Sequence, residues 1–252
     1  MIVEVRSSAY ILCATPRSGS TLLCDLLTST SVAGRPHSYF RSQDIGDWAG
    51  LWNVPGPTNP DDPDVNRAYL AAMAKAGTAG TGMFGLRLMW PSVAEATRRL
   101  DAAFSGETDL PRRFDHLLGP TMFIHLSRQD KVVQAVSLVR AEQTGLWHVA
   151  ADGSERQRTA PARAPVFDAD RIDQARDMLV TEDTAWSRFF DQWRIEPLRL
   201  TYEALAADPQ AVLADTLVAL GRDRASAAGV SVQTARMADS VSASWAEQMK
   251  TQ

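Results

Sequence analysis

Cysteine and histidine are scarce in this chain, and each scarcity closes off a kind of chemistry. Only Cys13 and Cys24 occur among 252 residues. The first ends an apolar run and the second falls in a helical pattern, so both read as buried reduced thiols rather than a disulfide framework or metal pair. The four histidines belong to no acidic or His/Cys cluster at ligand spacing, so no metal is expected. Positive charge is not in excess either. The formal net charge of −4 argues against binding nucleic acid or an anionic membrane, both of which want a basic surface. No run of about 18 apolar residues occurs, so no transmembrane segment is expected. The early apolar stretch is too short for a secretory core and leads straight into a polar loop, which points to a cytoplasmic protein. Repeats, low-complexity tracts and interdomain linkers are missing too. With 45% hydrophobic residues the chain can bury one large core, so a single domain over 1–252 is expected.

What is present is concentrated between Ala9 and Leu27. Tyr10-Ile11-Leu12-Cys13 is a β-prone run, and the leucine pairs after Thr21 recur at helical spacing. Between them, Gly19 lets the backbone approach a ligand closely. Ser18, Ser20 and Thr21 set hydroxyls beside the free N–H groups that open the helix, a terminus that favours negative charge. The generic phosphate loop G-x-x-x-x-G-K-[ST] would place glycine at Ala14 and lysine at Ser20. The lysine of ATP-using loops is therefore missing, and a cation stands instead at Arg17.

Strands and helices alternate along the remainder. Ser31-Val32-Ala33-Gly34 reads as a short second strand, and Pro36 keeps the residue before it extended, so the helical pattern does not resume there. Two long loops are expected, near 41–66 and 146–168. In the first, Trp48 and Trp52 read as staples holding the loop to the body, with a platform for a sugar ring as the alternative. Helical patterns cover about 65–75, 92–104 and 170–193, and residues 105–120 read as a connection with one helical turn. Strands are expected over 81–88, with Arg87 near the C-terminal end where parallel sheets bind ligands, over 121–127, and over 197–202. Arg128 follows the third of these, Asp130 is placed to cap the next helix, and Ser137 lies two turns into it. His125, inside its strand, reads as a core histidine.

The Arg17-Ser18-Gly19-Ser20-Thr21-Leu22-Leu23 stretch resembles the phosphosulfate-binding loop of sulfotransferases that use 3′-phosphoadenosine 5′-phosphosulfate (PAPS), in the bacterial branch that contains the mycobacterial trehalose sulfotransferase. Leu86 to Trp90, Leu138 to Trp147 and Arg236 to Trp245 resemble the same branch. This resemblance implies an α/β fold of the P-loop type, three layers with a central, mostly parallel sheet of about five strands flanked by helices. It implies that Arg17 and Ser18 to Thr21 hold the phosphosulfate, that Arg128 and Ser137 bind the 3′-phosphate, that Tyr202 lies beside the adenine, and that Arg236 folds back onto the nucleotide. A homodimer is a further implication.

The expected activity is transfer of a sulfuryl group from PAPS to a hydroxyl of a small molecule, a carbohydrate or glycolipid among the candidates. Arg17 would neutralise charge on the leaving phosphate. Ser38 stands where the trehalose enzyme carries a glutamate proposed as base, and the adjacent His37, whose reference pKa of about 6.5 suits the task, is the candidate in its place. Two alternatives compete: a Mg²⁺-dependent small-molecule kinase, opposed by the missing lysine, and a nucleotide-binding protein without catalysis.

Overall fold

The computed structural model describes residues 7–55, 61–104, 109–235, 237 and 239–251. Its first half runs β1 (Ala9–Ala14), α1 (Ser20–Ser29), α2 (Ile45–Trp52), α3 (Pro63–Thr78), β2 (Phe84–Met89), α4 (Val93–Ala103), α5 (Leu110–Leu118) and β3 (Thr121–Ser127). The second half runs α6 (Lys131–Thr144), β4 (Leu146–Val149), β5 (Glu155–Arg158), α7 (Ala169–Trp193), β6 (Leu198–Thr201), α8 (Tyr202–Ala207), α9 (Pro209–Ala219) and α10 (Ser240–Lys250). β4 and β5 pair antiparallel as a separate hairpin. None of the described helices is long and apolar enough to cross a membrane.

The central sheet has the order β2-β1-β3-β6, with every pairing parallel. The chain leaves β1 to one side for β2 and returns to the other for β3, which makes the C-terminal end of β1 the switch point where such sheets bind ligands. β1 is buried throughout because it feeds both faces. Ile11 and Cys13 pack with Leu86, Phe123, Trp186 and Phe190, while Tyr10 and Leu12 pack with Leu23, Leu27, Leu213 and Leu217. Burying a large apolar side chain is worth about 1.5–3 kcal/mol, so a strand committed on both faces is a firm base for the loop that follows it.

The sheet holds four strands where about five were expected. Residues 31–34 form no strand, since Ser31 and Gly34 take φ of 57° and 69°, which a β ladder does not tolerate. A Cβ at Gly34 would sit 2.3 Å from the Met83 carbonyl oxygen. What reaches the β2 edge is a single bridge, His37 to Leu86. The expected loop at 41–66 is largely helical: α2 occupies its middle and α3 begins within it, with Asp62 capping the Asp64 and Val65 N–H groups and Pro63 in the first turn, where its missing N–H costs nothing. Residues 56–60 of that loop lie outside the described residues. Trp48 and Trp52 stack with centroids 5.4 Å apart and pack on Tyr39, which is the staple arrangement. Residues 110–118 likewise form the full helix α5, capped by Asp109, and the 146–168 segment contains the β4–β5 hairpin. The cap at Asp130 is as expected, its Oδ1 accepting from the Val133 N–H at 2.9 Å.

Candidate functional site

The loop after β1 is clamped from below by two helices. Gln134 on α6 donates to Thr15 Oγ1 at 2.9 Å and to the Pro16 carbonyl at 2.6 Å, and Trp186 on α7 donates to the Ala14 carbonyl at 3.2 Å. Arg17 and Gly19 take φ of 61° and 86°, left-handed values that turn the chain sharply into α1. Gly19 is required twice over, since a Cβ there would also come within 2.8 Å of the Tyr202 ring. No side chain among the described residues caps α1, in contrast to α3, α5, α6 and α7, each of which carries an aspartate cap. Its opening N–H groups are left for an anion. Ser18 is fully buried, and its hydroxyl has no hydrogen-bond partner among the described residues.

Three segments far apart in sequence converge on this loop. Arg17 donates from Nε to Ser137 Oγ on α6 at 3.0 Å, and from Nη1 to the Trp147 carbonyl on β4 at 2.6 Å. Its Nη2 meets Met237 Sδ at 3.4 Å. Arg128 donates to the Arg17 carbonyl at 3.2 Å, and its guanidinium lies 4.2 Å from the centre of the Tyr202 ring, a cation–π contact. Burial and then the Arg128 charge push the Arg17 pKa down. A guanidinium keeps its proton in proteins, so the two crowded cations express that cost as affinity for an anion between them.

A second chain of polar contacts runs along the other side. Arg87, near the C-terminal end of β2, donates from Nε to Ser38 Oγ at 2.8 Å and from Nη1 to Thr21 Oγ1 at 2.9 Å. Thr21 Oγ1 lies 3.2 Å from His148 Nε2 on β4. The hairpin carrying His148 is latched to α1, where Arg156 on β5 forms a two-pronged pair with Asp25, one prong at 2.9 Å. Thr234 donates to the same carboxylate at 2.8 Å. Residues 149–151 and 233–235 add backbone bonds between hairpin and C-terminal segment, Ala235 N–H to the Val149 carbonyl at 2.9 Å and Ala151 N–H to the Gln233 carbonyl at 3.0 Å.

Arg17, Gly19, Ser20, Thr21, Arg128, Ser137 and Tyr202 all line one cavity of about 590 Å³. Ser18 lies buried behind it, and Arg236 falls outside the described residues, although its neighbour Met237 lines the wall. His37 is not brought in. It does not line the cavity; its Nδ1 accepts the Ser38 N–H at 2.9 Å, and its ring packs edge-on against Trp48 with centroids 4.7 Å apart. Protein packed around the ring, and then the Arg87 charge, lower its pKa, even though the residue keeps an exposed surface. His125 is buried between Arg199 and Asp183, as a core histidine. Missed from the sequence were His148, Arg156 and Thr234, on segments with no clean periodicity, and the carbonyl contact of Trp147, which ends a stretch noted only for its resemblance.

Fold and cleft together define an open, parallel α/β protein with an anion-accepting cleft at the switch point of its sheet. Comparison with known proteins narrows that class. The sequence model of the Stf0 sulphotransferase family matches residues 9–252, and the chain belongs to that family. The trehalose 2-sulfotransferase of Mycobacterium tuberculosis is 29% identical over 233 residues, covering 85% of this chain and 84% of its own. That of Mycolicibacterium smegmatis is 29% identical over 264 residues, covering 96% and 94%. A solved sulfotransferase domain from the Synechococcus PCC 7002 olefin synthase aligns at 19% identity with a TM-score of 0.45, covering 85% of this chain and 73% of that one; so distant a likeness adds nothing to the fold already described. The kinase alternative finds no support in these matches, all of which are to sulfotransferases.

Proposed function

We propose that the protein moves a sulfuryl group from PAPS to a hydroxyl of a carbohydrate or glycolipid. The observation that carries this reading is the meeting of Arg17, Arg128 and Ser137 around the uncapped start of α1, in a loop where Ser20 replaces the lysine of ATP-using proteins. PAPS, when bound, supplies the activated sulfuryl group and departs as adenosine 3′,5′-bisphosphate.

The residues present suit that group. Two guanidiniums share one end of the cavity, and their planar forks match phosphate oxygens. Gly19 leaves a cradle beside the Tyr202 ring that any Cβ would fill. In this reading Arg128 and Ser137 take the 3′-phosphate, Tyr202 lies along the base, and Arg17 with Ser18 to Thr21 binds the phosphosulfate. Charge grows on the leaving phosphate during transfer, so donors fixed in advance act on the rate. The cavity lining also includes Ser38, Ser42, Gln43, Gln157 and Thr159. Hydroxyls and amides of that kind offer both donors and acceptors, as a polyhydroxylated sugar needs.

Titration calorimetry with adenosine 3′,5′-bisphosphate should show binding that EDTA leaves intact, and ATP with Mg²⁺ should bind weakly. Metal-dependent binding of the bisphosphate would overturn the reading. Labelled sulfate supplied as PAPS should then appear on a neutral sugar from a cell extract, identified by mass.

A further inference from the structure

The proposed donor site leaves the proton of the acceptor hydroxyl without a recipient. His37, the candidate by sequence, faces Trp48 rather than the cavity. Ser38 holds its hydroxyl against Arg87, and a serine hydroxyl is a poor base near neutral pH. Asp25, the carboxylate that acts on the His148 ring, is already taken by Arg156 and Thr234. One imidazole does line the cavity, and it comes from the hairpin at the opposite end of the chain's chemistry.

We propose that His148, through Nε2, accepts the proton of the acceptor hydroxyl. This assignment rests on the sulfuryl-transfer reading above. Its geometric basis is the Arg87–Thr21–His148 chain. Arg87 Nη1 donates to Thr21 Oγ1, and a guanidinium has no lone pair to offer in return. The Thr21 proton is therefore free to point at His148 Nε2, 3.2 Å away. That assignment makes Nε2 the basic nitrogen of a neutral ring, held at the end of the loop that binds the phosphosulfate. An acceptor hydroxyl entering the cavity can take over the place that the Thr21 hydroxyl holds. The acceptor oxygen then bonds to sulfur, and the bond from sulfur to the bridging oxygen breaks with its electron pair staying on the nucleotide phosphate. The hydroxyl proton moves to Nε2.

The surroundings tie the basicity of His148 to the donor. Arg17 from the β1–α1 loop, Arg87 from β2 and Arg156 from β5 face the ring, with Asp25 on α1 opposing them. Burial and then these cations push the pKa down to about 4, which keeps the imidazole neutral but weakly basic. A polyanionic nucleotide against Arg17 and Arg87 offsets that repulsion, so the base gains strength when the donor is in place.

The test follows the His148 imidazole by NMR in the full chain, identified by its loss in His148→Asn, and titrates pH with and without adenosine 3′,5′-bisphosphate. The pKa should rise by at least about one unit on binding; a pKa that the bisphosphate leaves unmoved overturns the assignment. In parallel, transfer of labelled sulfate from PAPS is measured to a neutral sugar extract and to 4-nitrophenol, an acidic acceptor that hardly needs a base. His148→Ala and His148→Asn should both lower the sugar rate by roughly 10²–10⁴-fold, spare the phenol rate within a few-fold, and leave bisphosphate affinity within about three-fold. Equal losses for both acceptors, or an acidic limb of the pH profile that vanishes with His37→Ala and persists in His148→Asn, would overturn it. A parent protein that neither binds the bisphosphate nor transfers label would instead sink the donor reading, and this assignment with it.

Discussion

Arg17 and Ser137, 120 residues apart in sequence, are joined by a hydrogen bond from Nε to Oγ at 3.0 Å. The loop after β1 and the second turn of α6 are therefore held in register before any ligand arrives. Three of the Arg17 contacts, to Ser137, the Trp147 carbonyl and Met237, fix the direction of its fork. A fixed donor aimed at developing charge acts mainly on the rate, because no reorganisation is needed at the moment of transfer.

Arg17→Ala should accordingly lower turnover by roughly 10²–10³-fold while weakening adenosine 3′,5′-bisphosphate binding by no more than about ten-fold. Arg17→Lys should recover part of the binding and little of the rate, since an ammonium cannot reproduce the planar fork. Steady-state kinetics beside calorimetry separates the two quantities, and equal losses in rate and affinity would mean that Arg17 merely binds.

Arg128 sits on the other side of the same loop, over the Tyr202 ring. Arg128→Ala should weaken bisphosphate binding by about 1.5–3 kcal/mol through lost charge-assisted hydrogen bonds to the 3′-phosphate. A nucleotide lacking that phosphate provides the comparison and should bind mutant and parent alike. A matching loss for both nucleotides would relocate Arg128 to support of the loop, through its bond to the Arg17 carbonyl.

The Asp25–Arg156 pair ties α1 to the hairpin whose Trp147, His148 and Gln157 line the cavity. The Arg156 side chain is 41% exposed, so screening limits the pair to about 0.5–1 kcal/mol despite its two prongs. Asp25→Ala should thus speed release of the bisphosphate by only about two- to five-fold, and the effect should shrink in high salt. Stopped-flow release measured at two salt concentrations checks it. A salt-independent change would point to lost helix packing rather than a loosened latch.

How much of this was legible in the sequence depended on how local the physics was. The β1 loop was readable because strand, glycine and helix start lie within twenty residues of one another and each follows from its own side chains. Arg128, Ser137 and Tyr202 were assigned through resemblance, and the structure brings all three to the cavity. The failures share a cause. Ser31 to Gly34 has apolar residues at its centre but left-handed residues at both ends, and backbone sign is not encoded by hydrophobicity. α2 carries Gly46 and Gly50, poor helix formers, and is held by Trp48 and Trp52 packing on Tyr39 and Tyr69, contacts made across the fold. His148 lies 127 residues from the threonine it meets, on a bulged hairpin that pairs a largely apolar strand with a wholly polar one and shows no clean alternation in either.

One buried carboxyl, Glu182, has no part in the proposed chemistry. Glu182 on α7 is 7% exposed, and its Oε2 has no hydrogen-bond partner among the described residues. Its neighbour Asp183 is engaged with Lys131 and stays ionised. Burial, and then the Asp183 charge, push the Glu182 pKa up to about 7, against roughly 4.3 in an unfolded chain. Between those values the folded protein holds a proton that the unfolded chain has released, so stability falls as pH rises through that window and levels off above about 7. Glu182→Gln removes the ionisation while keeping the shape. It should unfold at nearly the parent's urea midpoint at pH 4.5 and gain about 1–2 kcal/mol over the parent by pH 8, allowing for the solvent that reaches the group. Because every other titrating group is common to both proteins, the difference between the two pH profiles isolates Glu182. Parallel profiles across pH 4.5 to 8 would show that its carboxyl is ionised throughout, with a partner supplied by water.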